Sequence, residues 1–228
     1  MIYLLWLLIL VPVVAGFAVQ QRLLSVFARY RSISNRAGMT GAQVARALLD
    51  AHGLARVRLE LTPGLLSDRY DGEAQALSLS EAVAGERSVA AIGIAAHEVS
   101  HALQDAEGSR VYRVRRTVAE PLARLSPWSG FVFIGGFWLG IPALIVLSVA
   151  YVAGLVVFAL ATLPVELGAS RRALSLLRAS GLADAEEAGG IRRVLTGAAL
   201  TYVVGLLRQV GLFLVLIVAA EAARRMAT

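Results

Sequence analysis

Three stretches of the chain are almost wholly apolar, and one stretch of mixed polarity lies between the first two. Residues 2–19 are nearly all apolar, and no side-chain charge occurs before Arg22. About 20 such residues cross the hydrocarbon core of a bilayer, so residues 1–21 predict a first transmembrane helix. It is not an ordinary signal peptide, because its basic residues follow the apolar run instead of preceding it. Residues 125–165 form the second stretch, again without a charge. Its length suits two crossings, which predicts a hairpin of transmembrane helices 2 and 3. Gly140-Ile141-Pro142 is where Gly and Pro punctuate the run and mark the break. Gly136 and Gly140 also have the spacing of a GxxxG packing face. The third stretch, residues 199–220, predicts a fourth span interrupted by Arg208. An arginine at that depth is costly in lipid and is expected to face the bundle interior or water. A helix lying partly in the interface is the alternative.

Residues 22–124 carry the mixed pattern. Thr40-Gly-Ala-Gln43 fits a capping box. Val44, Ala47, Leu48 and Ala51 follow at helical spacing, with Gly53 as the C-terminal stop. Val57, Leu59 and Leu61 then alternate with Arg56, Arg58 and Glu60, the period of a half-buried strand that ends at Pro63-Gly64. Asp71-Gly72 signals a turn. Ala76–Ser80 is a second short strand, with Leu77 and Leu79 alternating. From about Ser88 a helix runs through Ala91, Ile92, Ala95 and Ala96 to about Asp105, and Gly108 lies beyond it. The fold class is therefore a mainly α-helical integral membrane protein. About four transmembrane helices carry a small α+β insert of helix, two strands and helix. Residues 166–198 form a further helical region, in which Asp184, Glu186 and Glu187 read as a solvated helix start, and residues 221–228 form a tail.

Composition narrows this picture. The 228 residues are 57% hydrophobic and 17% charged, with a mean hydropathy of +0.68. Disorder is excluded, since such a chain has ample apolar surface to bury. The formal charge is +6, and all 22 basic residues are arginine. No basic stretch is interleaved with exposed aromatics, so nucleic acid is not an expected partner. The positive-inside rule accounts for the arginines instead. It puts the N-terminus outside and Arg22, Arg29, Arg31 and Arg36 in the cytoplasm, while Arg224 and Arg225 would end outside, against the rule. Cysteine is absent, which removes disulfides, thiolate metal sites and a cysteine nucleophile.

The helix that begins near Ser88 contains His97-Glu98-Val99-Ser100-His101. Positions i and i+4 share one helical face, so both imidazoles can address one Zn²⁺ ion. Glu98 is placed to act as general base toward a zinc-activated water. The plainer reading, two histidines that fall at this spacing by chance, is disfavoured by the intervening Glu and the apolar pattern of the helix. A third ligand is required. Glu107 stands where a further zinc-binding His would follow His101 in one class of such enzymes. His52 ends an amphipathic helix, where a His beside the last carbonyls is ordinary. A carboxylate on a separate helix is then expected, and Glu166 is the candidate. It closes the uncharged run and is the only carboxylate between Glu120 and Asp184. The alternative for Glu166 is an ion pair with Arg171 or Arg172. Two crossings in residues 125–165 would return Glu166 to the side of the membrane that holds His101.

Thr40-Gly-Ala-Gln-Val-Ala-Arg46, Leu79-Ser-Glu81, Ala95-Ala-His-Glu-Val-Ser-His-Ala-Leu-Gln-Asp105 and Leu163-Pro-Val-Glu-Leu-Gly-Ala-Ser-Arg-Arg-Ala-Leu174 resemble the YugP family of bacterial membrane zinc metallopeptidases. That family is distantly related to the HtpX and CAAX prenyl proteases. The resemblance covers nearly the whole chain, in order. It implies His97, His101 and Glu166 as ligands of one zinc ion and Glu98 as the catalytic base. It also draws attention to Ser170, four residues after Glu166. Related enzymes carry an Asp there that orients a ligand His, and a hydroxyl could hold the imidazole more weakly. Ser100 stands where Gly is usual, and Arg69 stands where the family favours His.

Other roles rest on chemistry alone. Tyr70, Tyr202, Arg69 and Arg171 could stabilise a developing oxyanion, with a structural role as the plainer reading of each. The strand Ala76–Ser80 could accept an extended peptide along its edge. The reading as a whole is a membrane-embedded zinc endopeptidase of the bacterial plasma membrane. Its site faces the cytoplasm, its partners are the bilayer and a peptide or membrane-protein substrate, and a role in membrane-protein quality control follows by analogy alone. An oligomer or a regulatory membrane partner is left open. The competing reading is a non-catalytic membrane scaffold with a structural metal site, for which Glu98 would have no use. Intramembrane cleavage at a buried motif is disfavoured, because Glu86, Arg87, Asp105 and Glu107 bound the motif helix.

Overall fold

The structure is a computed structural model. It describes the backbone of residues 2–227 and the side chains of residues 6–115, 117–119, 121–122 and 124–221. Arg224, Arg225 and Glu120, which entered the sequence reading, have side chains outside the described residues. Among the described residues, seven helices and three strands follow in the order α1 (Ile2–Arg31), α2 (Gly41–Ala51), β1 (Arg58–Thr62), β2 (Arg69–Asp71), β3 (Ala76–Ser80), α3 (Glu81–Gly85), α4 (Val89–Ala106), α5 (Arg110–Trp138), α6 (Pro142–Ala179) and α7 (Ala185–Ala227).

The chain forms two compact units. One comprises Met1–Val19, Arg113–Pro164 and Thr201–Thr228; the other comprises Gln20–Tyr112 and Val165–Leu200. In the first, apolar side chains such as Val14, Phe17, Phe131 and Trp138 lie exposed. Surface of this kind suits lipid rather than water. Among the described residues three helical stretches are long and apolar enough to cross a membrane: Trp6–Arg31, Pro142–Ala179 and Ala185–Glu221. α5 is not among them, because its uncharged part begins only after Arg124 and its helix ends at Trp138. The break falls at Gly140-Ile141-Pro142 as expected. Gly140 adopts φ +64°, a left-handed turn that a side chain would strain. The GxxxG reading holds only in part. A Cβ on Gly136 would meet the Leu144 Cβ at 2.7 Å, so Gly136 admits the returning helix, whereas Gly140 is the turn itself. Arg208 does not face the protein interior; it lies exposed on α7.

The second unit has a core built around α4. Almost every position from Val89 to Leu103 is buried, which is why the helix is apolar on all faces from Val89 to Ala96. It packs with Val44, Leu48 and Leu49 of α2, Leu77 and Leu79 of β3, Leu177 of α6 and Ile191 of α7. Gly93 makes the last contact possible, because a Cβ there would come within 2.8 Å of the Ile191 side chain. Thr40 and Gln43 form the expected capping box at the start of α2. The buried face of α2 is Gly41, Val44, Ala45, Leu48 and Leu49, however. Ala47 and Ala51 are exposed, so the stripe is rotated from the predicted one.

The sheet has three strands, in the order β1-β3-β2. β3 runs parallel to β1 and antiparallel to β2. The third strand, β2, is too short to show an alternating pattern. Leu61 was expected inward but is 70% exposed, and Thr62 is buried in its place. The edge position of β1 explains this, since its last residues have a neighbour on one side only. β3 is central and every residue in it is buried. Its two edges are occupied, so it cannot accept a peptide, contrary to the sequence expectation.

Candidate metal centre

α4 begins at Ser88, whose hydroxyl accepts from the Ala91 N–H as a helix cap. From that start, helical geometry fixes His97 and His101 one turn apart on one face. Both are largely enclosed, with side chains 13% and 7% exposed. α6 brings Glu166 against them. The His97 Nε2 lies 3.3 Å from one Glu166 carboxylate oxygen, and the His101 Nε2 lies 3.6 Å from the other. One donor atom from each of the three residues falls within 4.8 Å of the rest. Ligands at about 2.0 Å from a tetrahedral zinc stand about 3.3 Å apart. Two imidazole nitrogens and a carboxylate at these spacings therefore fit such an ion by donor chemistry and by distance.

The other ring nitrogens are held. The His97 Nδ1 is 3.3 Å from the Ser170 hydroxyl, the pairing that the resemblance drew attention to. The His101 Nδ1 donates to the Gln104 side-chain oxygen at 2.9 Å. An amide oxygen only accepts, so the His101 Nδ1 is the donor in this bond, and its Nε2 faces Glu166. The Gln104 amide nitrogen donates in turn to the Val165 carbonyl at 3.3 Å. Gln104 thus links α4 to the residue that precedes Glu166 on α6. Tyr112, itself buried, stacks on the His101 ring with centroids 5.6 Å apart. Sequence reasoning missed both residues. Gln104 had a signal, since i+3 from His101 shares its helical face. Tyr112 had none, because it follows the helix break at Gly108.

Glu98 is buried at 8% exposure on the same helix. The alternative partners of Glu166 are engaged elsewhere. Arg172 grips Glu107 through two bonds, one of 2.6 Å, and the Arg171 Nε donates to the Leu167 carbonyl. Arg172 holds the Glu107 carboxyl below its ordinary range. His52 accepts no role here. Its Nδ1 donates to the Leu48 carbonyl at the end of α2, as its helix-end position suggested.

The oxyanion candidates are scattered. The Tyr70 hydroxyl donates to Asp105 at 3.2 Å and accepts from Gln75 at 2.9 Å, which ties β2 to the end of α4. Arg69 at the start of β2 donates to the Thr62 hydroxyl at the end of β1. Arg171 is exposed on α6. Tyr202 belongs to the first unit and is 38% exposed. Asp68 accepts from the Ser80 N–H at 2.7 Å and from the Ser80 hydroxyl; burial raises its pKa despite those bonds. Glu187 is not a solvated acid. It is buried, accepts from the Arg36 N–H at 2.7 Å, and forms a reciprocal cap with Asp184 at the start of α7.

A family described as "Putative neutral zinc metallopeptidase" matches residues 5–221. The "Putative membrane protease YugP" of Bacillus subtilis (strain 168) is 38% identical over 188 residues, covering 82% of this chain and 84% of that protein. No solved structure matches the chain.

Proposed function

The chain belongs to the neutral zinc metallopeptidase family, and from that premise we propose that it is an endopeptidase whose reaction centre is His97, Glu98, His101 and Glu166. The observation that carries the reading is the convergence of two Nε2 atoms and one carboxylate from α4 and α6. His97, His101 and Glu166 would hold the ion. A bound zinc ion supplies Lewis acidity toward water and the scissile carbonyl. Glu98 takes the proton of the attacking water and returns it to the departing amine. Ser170 and Gln104 keep the two imidazoles oriented through Nδ1. The enclosed position of these side chains limits competing water.

A structural metal site would have no need of Glu98, and that separates the peptidase reading from the scaffold reading. The Glu98→Gln protein keeps the ligand set but has no proton acceptor. It is expected to bind zinc as the wild type does and to lose at least about 100-fold in peptide hydrolysis. Zinc content and casein cleavage, measured side by side, test this. Wild-type activity in the variant removes Glu98 as the base.

The membrane plan extends the reading. Helices α5 and α6 form a hairpin that crosses twice. The uncharged part of α5 covers only about 20 Å, and a span shorter than the hydrocarbon core is accommodated by local thinning of the bilayer. This returns Glu166 to the side that carries Arg22, Arg29 and Arg36, the cytoplasmic side by the positive-inside rule. By analogy with the related proteases, the substrates are proteins of the bacterial plasma membrane, cleaved in quality control.

A further inference from the structure

α6 and α7 line an open groove of about 970 Å³ whose lining includes Ser170, the residue whose hydroxyl meets His97. Leu167, Leu174 and Leu195 give it an apolar floor, and Arg171, Arg178 and Arg192 stand along it. Some arginines of the same unit are tied up in ion pairs. Arg31, Arg36, Arg46 and Arg172 each pair with a carboxylate. Among the described residues, no carboxylate pairs with Arg171, Arg178 or Arg192. A helix rises about 1.5 Å per residue, so Arg171 and Arg178 lie roughly 10 Å apart along α6. That is the length of about three residues of extended peptide.

We propose that this groove binds an acidic segment of the peptide substrate, a few residues from the bond to be cleaved. The inference rests on the peptidase reading above. Guanidinium groups grip carboxylates with paired, charge-assisted hydrogen bonds. An apolar floor suits the aliphatic parts of such a segment, and the volume is that of a ligand site rather than a surface dimple. Ser170 favours a peptide over an isolated anion, because it lines the groove and its hydroxyl also meets His97.

The test uses the full-length Glu98→Gln protein in neutral detergent, where a bound peptide is not cut. Two fluorescent peptides are compared that differ only in three Asp residues replaced by Asn. The acidic peptide is expected to bind roughly tenfold tighter or more, with an advantage that falls as salt rises. Replacing Arg178→Gln and Arg192→Gln together should erase that preference while zinc content and thermal unfolding stay as before. Equal binding of the two peptides, or a preference that survives the double replacement, overturns the proposal. So does displacement of the acidic peptide by phosphatidylglycerol micelles but not by phosphatidylcholine micelles, which would make the groove a lipid headgroup site. Cleavage by the protein with Glu98 intact is read separately. Acidic-peptide binding without cleavage of either peptide supports the groove and removes the peptidase reading.

Discussion

Gln104 has the most to add at the scale of single residues. Its oxygen accepts from the His101 Nδ1, and its nitrogen holds the backbone just before Glu166. Partners of this kind are worth about 10–100-fold in metal affinity. Gln104→Leu is therefore expected to weaken zinc binding by about tenfold or more, read by competition with a chromophoric chelator. Gln104→Glu keeps the acceptor for His101 and should recover part of the loss. Unchanged affinity in the Leu variant would mean that the His101 ring is oriented by Tyr112 stacking alone. The candidate cluster was legible from the sequence to the extent that its spacing was helical. His97 and His101 follow from i,i+4, and Ser170 lies one turn from Glu166. Tyr112 and the grip of Arg172 on Glu107 come from packing between helices, which no local period records.

At the scale of elements, α4 and α6 are held together by the Glu107–Arg172 pair as well as by the candidate ligands. The Glu107 pKa is lowered in the folded protein by the Arg172 hydrogen bonds. Its contribution to stability is thus present above the unfolded carboxylate pKa and is lost as pH falls through the folded one. Both side chains are partly exposed, so the effect is small and screened by salt. The stability difference between wild type and Glu107→Gln, measured by thermal unfolding, should shrink as pH drops below the ordinary glutamate range. A difference that grows on acidification contradicts the pairing. Elements with strong boundary chemistry were readable: the Thr40–Gln43 cap of α2, the Ser88 start of α4 and the Gly140 turn. β2 was not, because three residues give no alternation. Leu61 misled because an edge strand has one side open. The α2 face shifted because Ala45 and Leu49, as well as Val44 and Leu48, are covered by the core.

For the whole molecule, the proposed orientation rests on the order of apolar stretches and arginines. A cysteine at Gly140 is expected to react with an impermeant thiol reagent from outside intact cells, and one at Ser67 only after permeabilisation. The chain has no cysteine of its own to interfere. Labelling of the Ser67 variant from outside would reverse the orientation. Metal binding should also raise the thermal stability of the protein, because the candidate ligands come from both α4 and α6. The most direct measurement is the zinc content of three purified proteins: wild type, Glu98→Gln and Glu166→Ala. One zinc per chain in the first two and none in Glu166→Ala is the expected result. Full zinc occupancy in Glu166→Ala, or none in the wild type, would contradict a centre built from His97, His101 and Glu166.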